Sequence, residues 1–394
     1  MTKTLALLLD SYRELNAKRL FWIVLVISGL VVGAFAMIGI KGDTITLLWW
    51  NTPIKSDVLT YLDPAALYKS MFTYFGVGFW LSWIANILAL ASTAGIFPDF
   101  LAAGSIDLYL SKPISRLWLF LSKYIGGLLF VTLQVAIFSG CSFLVLGFRG
   151  HEWNCAIFLS IPLVVLVFSY LFSICVLLGV LTRSTVAALL LTLLFWFCLW
   201  GVQTTESFLL MASINSDVRA ATLDRQIAET KEALANYSAH PVAQTQSVTT
   251  TKPQGNGLQA SIQSLSRYFV HQHSDLEDRL DRLQTERNSI TPALHTAHSV
   301  AFTVVTLLPK TSGTTELLVR ALTSKEDTEA ADALEEDRDR RPNRRESPAD
   351  RRAVAKAMQD DESKRTASWF IGTSLGFEVV IVSFAAFVFC RRDY

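Results

Sequence analysis

Histidine is missing from the long apolar runs of this 394-residue chain, and charge is missing from all of them but the last, which carries Glu378. With no base in hydrogen-bond reach, a serine inside such a run has nothing to activate it, so Ser139-Gly140 is not read as a nucleophile motif. The six histidines, at 151, 240, 271, 273, 295 and 298, all lie outside the runs. No G-x-x-x-x-G-K-[ST] loop occurs, so the chain does not cradle nucleotide phosphates in that way. The five cysteines, Cys141, Cys155, Cys175, Cys198 and Cys390, have no paired spacing, which leaves neither a disulfide framework nor a zinc signature. His271 with His273, and His295 with His298, are weak metal patterns: on a helix residues two apart diverge, and although three apart share a face, solvated histidines are the simpler reading.

What the chain has in quantity is apolar surface. Hydrophobic residues make up 51% of it, aromatic ones 11%, and the mean hydropathy is +0.37, too apolar for an ordinary soluble protein of this length. Net charge is only +1, but 21 of the 35 Lys and Arg and 24 of the 34 Asp and Glu fall between Glu206 and Arg365. The remainder is swept of charge, as a chain that crosses a bilayer requires.

Residues 4–19 carry Leu5, Leu8, Leu9, Tyr12 and Leu15 on one helical face and Asp10, Arg13, Glu14 and Lys18 on the other, the pattern of an amphipathic helix lying at the interface. Apolar runs follow at 20–40, 71–96, 124–148, 156–182 and 185–205, and a sixth lies within 368–394. Each covers about 30 Å of hydrocarbon at about 1.5 Å per residue. Ala34-Phe-Ala36 resembles a signal cleavage site, but the run continues to Ile40 behind a long amphipathic segment. The expectation is an all-α polytopic protein with six spans.

Lys and Arg fix the orientation. Lys3, Arg13, Lys18, Arg19, Lys112, Arg116, Lys123, Arg183, Arg391 and Arg392 fall on one side, against Lys41, Lys55, Lys69 and Arg149 in short loops on the other. Both termini and the loop 98–123 are therefore expected in the cytoplasm, with 206–367 as an extracytoplasmic insertion. Within it, Leu223, Ile227 and Leu234, then Leu258, Ile262, Leu265 and Phe269, recur at helical spacing on either side of a Thr-, Gln-, Pro- and Gly-rich linker at 236–257. This predicts a helical hairpin. Residues 293–308 stop at Pro309 and are too short and polar to span, which suits a surface-lying or re-entrant helix. Residues 325–365, dense in both charge signs, read as a solvated helix or disorder.

Two polar residues stand out inside the spans. A carboxylate near mid-membrane costs about 2.5–3.5 kcal/mol even on the lenient insertion scale, so Glu378 is expected to face the bundle interior, lining a translocation path or subunit seam, with Gln134 as a candidate partner. A structurally held Glu378 is the competing reading. Gly76, Gly78, Gly126 and Gly127 are expected to serve close helix packing.

Between spans two and three, Leu110-Ser-Lys-Pro-Ile-Ser-Arg116 followed by Lys123-Tyr-Ile-Gly-Gly127 resembles the cytoplasmic loop of ABC-2 type membrane permeases, the branch described with multicopper enzyme maturation and nitrous-oxide reductase assembly. Tyr12-Arg-Glu-Leu15, Leu181-Thr-Arg-Ser184 and Cys390-Arg-Arg-Asp-Tyr394 are similar to that family's segments at corresponding places. The resemblance covers the membrane-embedded half and implies a bacterial inner-membrane permease without an enzymatic site. It implies a coupling helix over Ile106, Asp107, Leu110, Lys112, Pro113 and Arg116 that docks a separate ATPase. It further implies a second permease copy or homologue, and ATP with Mg held by the ATPase rather than by this chain. No cofactor, metal or nucleic acid is expected on the chain itself. A non-transport membrane scaffold that recruits a partner through the helical insertion is the alternative. A secondary transporter is disfavoured by the lack of an inverted repeat with paired broken helices.

Overall fold

A computed structural model describes residues 19–41, 44–47, 50–55, 72–101, 115–150, 153–239, 256–290, 293–322 and 348–391. The expected amphipathic segment before the first span lies outside these residues, as do Ile106, Asp107, Leu110, Lys112 and Pro113. The chain divides into two compact units. The first is Met1–Thr204 with Thr303–Arg341 and Arg365–Tyr394, and the second is Thr205–Phe302 with Pro342–Lys364.

The described helices are α1 (Arg19–Met37), α2 (Asn86–Thr93), α3 (Ile96–Phe100), α4 (Arg116–Val145), α5 (Ser160–Thr182), α6 (Thr185–Ala239), α7 (Asn256–Ser289), α8 (Ala293–Leu307), α9 (Thr311–Leu322), α10 (Pro348–Lys364) and α11 (Ala367–Arg391). Among the described residues, five helical stretches are long and apolar enough to cross a membrane: Phe75–Phe100, Arg116–Phe148, Cys155–Thr182, Thr185–Asn236 and Ala367–Arg391. Helix α1 is apolar but shorter, over Phe21–Met37. The protein is thus predominantly helical, with one addition the sequence did not suggest. Directly after α1 the chain forms a small antiparallel meander, β1 (Ile38–Lys41), β2 (Thr44–Leu47) and β3 (Trp50–Lys55), in the order β1-β2-β3. Ile38 pairs with Leu47 and Leu47 with Trp50. Pro53, which has no N–H to donate, is tolerated because β3 is an edge strand.

Helix α5 forms the centre of the first unit. It is Leu-, Val- and Phe-rich on all sides, the mark of a helix with no solvated face. Phe168, Tyr170, Leu171, Phe172 and Val180 are fully buried, and α4, α9 and α11 pack around it. Gly127 of α4 permits that approach, since a Cβ there would lie 2.7 Å from Phe172 Cζ. Gly179 of α5 does the same for Pro98 of α3, at 3.3 Å. On α11, Phe370, Ser374, Glu378, Ala385 and Phe389 form the buried stripe, while Val379, Val380, Phe384 and Phe387 face outward as a lipid-facing surface would. Helix α5 ends at Arg183, whose left-handed φ of 54° turns the chain into α6 within two residues.

Span two is wound unusually. Phe72–Ala85 is π-helical before regular winding resumes in α2, and Ser82 Oγ donates to Val77 O, five residues back, at 2.7 Å. Such winding is rare, occurs mostly as single turns inside α-helices, and frequently accompanies functional sites.

The unit boundary falls between Thr204 and Thr205, and Thr303–Arg341 is grouped with the first unit. Its described part includes α9, which packs on α5, α11 and the π-helical segment with Thr311, Thr314 and Leu318 buried. In the second unit α6 and α7 are joined by ion pairs, Arg219 to Glu286 and Arg287 to Asp224, the latter at 2.8 Å. Helix α10 lies within the charged stretch 325–365.

Candidate functional site

The segment 102–114 that joins spans two and three is rooted in a single aromatic knot. On one side Phe97, Phe100 and Leu101 are buried; on the other, α4 opens with Ser115, whose Oγ accepts from Trp118 N at 3.3 Å as an N-cap. The Phe97 and Phe120 rings lie 5.0 Å apart, Phe120 and Phe389 5.6 Å, and Phe100 and Phe389 6.1 Å. Lys123, buried at the same place, holds its Nζ 5.8 Å from the Phe100 ring centroid. Arg116, the one described member of the expected coupling set, donates from Nη1 to Cys390 O at 3.3 Å. That carbonyl belongs to the last turn of α11, where carbonyls lack intrahelical donors and a cation is favoured. Both roots of the segment are therefore tied to each other and to the last helix.

Glu378, about midway along α11, points into the bundle. Tyr124 donates its hydroxyl to Oε1 at 2.7 Å and Ser169 Oγ contacts Oε2 at 2.8 Å, so α4, α5 and α11 meet on one carboxyl group. Tyr170, next along α5, is fully buried, with Thr314 of α9 and Ser374 of α11 near its hydroxyl. Gln134 is not a partner of Glu378, which corrects the pairing expected from the sequence. It lies ten residues beyond Tyr124 on α4, about 15 Å along the helix axis at about 1.5 Å per residue, too far to reach the same carboxyl group. Gln134 instead lines a narrow cavity with Ser28 and Asn86, walled by Val24, Leu81 and Val135.

A third polar group closes the turn between α8 and α9. Lys310 is 2% exposed; its Nζ donates to Thr306 O at 3.2 Å and to Thr373 Oγ1 at 2.7 Å, and sits 4.2 Å from the Trp369 ring centroid. Its backbone N–H donates to Ser374 Oγ at 2.9 Å. Burial, with the Arg365 charge adding to it, pushes the Lys310 ammonium down to about 8. Gln203 of α6 spans the same turn, donating from Nε2 to Pro309 O and accepting at Oε1 from Ser312 N, each at 3.0 Å.

Ser139 Oγ meets Ser160 Oγ at 2.7 Å. In the second unit the histidines meet carboxylates: His295 Nε2 lies 2.9 Å from Asp217 Oδ1, His298 Nε2 3.2 Å from Glu206 Oε1, and His273 Nδ1 3.6 Å from Glu277 Oε2. Among the described residues no group of three or more His, Cys, Asp or Glu side chains is placed to hold a metal ion.

No protein-family model, curated protein or solved structure matches this chain. The chemistry is therefore read from the residues themselves. Tyr124, Ser169, Lys310, Gln203 and Asn86 were not foreseen as site residues. Asn86 carried a usable signal, being the sole carboxamide in its span, as Gln134 is in the next.

Proposed function

We propose that the chain is the membrane-spanning permease subunit of an ABC-2 type, ATP-driven transporter, with six spans, cytoplasmic termini and an extracytoplasmic insertion. The aromatic knot beneath 102–114 carries this reading. A docking segment can transmit force only if its ends are held by the helices that must move, and here Phe100 on one side and Phe120 on the other pack against Phe389, while Arg116 bonds to the Cys390 carbonyl. In the proposed mechanism ATP binding closes a partner ATPase, which pushes on Ile106 to Arg116. Spans two and three and the last span then move as a rigid body. Lys112 and Arg116 position the segment against the ATPase or lipid phosphates, and Pro113 fixes its shape. A second permease copy or homologue completes the transporter, and ATP with Mg resides on the ATPase. Glu378, where three helices converge, lines the path or the seam between subunits.

Purification of the native complex from membranes tests the proposal. An ATP-binding cassette subunit co-purifies if the reading is correct. Its consistent absence from an intact, folded preparation contradicts it.

A further inference from the structure

Gln134 is 7% exposed and its Nε2, an amide nitrogen with two protons to donate, has no partner among the described residues. Leaving such a donor unmet in a dry interior costs about 1–3 kcal/mol. The cavity it lines is not apolar throughout. Asn86, 1% exposed, uses one Nδ2 proton on Ser82 O at 3.1 Å, which leaves its side-chain carbonyl and a second N–H to meet a guest in the cavity, and Ser28 brings a hydroxyl. The free space is about 10 Å³ for the centre of a water-sized guest, close to the lower bound of about 10–15 Å³ for one water. A second small cavity of the same size shares Asn86 and Val164 with the first and is covered by Leu318 of α9.

We propose that Gln134, Asn86 and Ser28 form a binding site for a single water molecule inside the bundle. The water accepts from Gln134 Nε2 and donates to the Asn86 carbonyl, with the Ser28 hydroxyl as third partner. Few guests of this size both accept and donate, and water meets the two to four polar partners that an ordered buried molecule needs. The site joins α1, α2 and α4 within one chain, so it does not rest on the transport reading.

Thermal unfolding of the full chain in lipid nanodiscs, comparing wild type, Gln134→Leu, Asn86→Ala and the double variant, tests the site. With water bound, Gln134→Leu lowers the midpoint by about 2 °C or more, and the double variant falls by less than the sum of the singles because both disturb one shared guest. A dry cavity gives the opposite: Gln134→Leu removes an unmet donor, raises the midpoint, and adds independently to Asn86→Ala. Should the variants fail to fold, the wild-type protein gives the second readout. Density for a water between Gln134 and Asn86 supports the site, and its absence in a map that resolves other buried waters overturns it.

Discussion

Tyr124 and Glu378, 254 positions apart in sequence, share a 2.7 Å hydrogen bond in the interior of the first unit, and Ser169 meets the other carboxyl oxygen. This is where α4, α5 and α11 are joined by polar chemistry rather than by packing alone. Glutamine in place of Glu378 can accept from Tyr124 and donate to Ser169, so Glu378→Gln is expected to keep its thermal midpoint. Glu378→Leu removes the carboxyl that joins the three helices, leaving Tyr124 only the Ser169 carbonyl at 3.4 Å and Ser169 only the Leu166 carbonyl at 2.9 Å, and is expected to lose about 1 kcal/mol in denaturant unfolding. If Glu378 also lines the translocation path, Glu378→Gln lowers transport-coupled ATPase activity despite intact folding. Unchanged activity assigns Glu378 to structure alone.

Gly127 faces Phe172 with no room for a Cβ, which would come within 2.7 Å of a fully buried ring. Gly127→Ala is expected to push α4 away from α5 and cost about 1–3 kcal/mol. Gly140, where an added Cβ would meet nothing within 4 Å, is the matched control, and Gly140→Ala should leave stability unchanged or slightly raised. Equal effects at the two positions would refute the packing argument.

Lys310 gives a pH dependence whose sign is fixed by burial. Its folded value, about 8, lies below the usual 10.5, so between these values the unfolded chain holds a proton that the folded one has released. Stability therefore rises with pH over that interval, by at most about 3 kcal/mol, and is flat below it for this group. Wild type is expected to gain in unfolding midpoint from pH 8 to pH 10 relative to Lys310→Met. Parallel profiles for the two proteins would show that Lys310 does not titrate there.

Five of the expected spans coincide with helices long and apolar enough to cross a membrane, legible because an uncharged run of about twenty residues has few other uses. Which face of each span turns inward was not. On α11 the buried Phe370 and Phe389 and the outward Phe384 and Phe387 are chemically alike, so apolar pattern cannot sort them; only the polar Ser374 and Glu378 mark the buried stripe. Ser169 was hidden for a different reason: it is one of several small hydroxyls in α5, with Ser160, Ser173 and Thr182, and its importance depends on what α11 places opposite it. The β1-β3 meander escaped because Trp49, Trp50 and Pro53 read as interfacial and helix-breaking residues, and neither property forecasts strand pairing. Helix α9 was missed because Thr311, Thr314 and Gly313 are small and polar, yet Gly313 lies against the Phe370 ring and Thr314 is fully buried.

Arg116 connects the start of α4 to the Cys390 carbonyl. Exchange of Lys112 and Arg116 for Glu is expected to uncouple ATP hydrolysis from transport or to abolish assembly with the ATPase, measured in proteoliposomes. Arg116→Ala alone should loosen the link to α11 and lower coupling without preventing insertion. A fully active double exchange is incompatible with the proposed coupling role.

The most direct measurement places a photo-crosslinking residue at position 112 in native membranes. The account predicts capture of an ATP-binding subunit from the cytoplasmic face and no reaction of that position with an impermeant reagent added outside intact cells. Labelling from outside, with no nucleotide-binding protein captured, would contradict it.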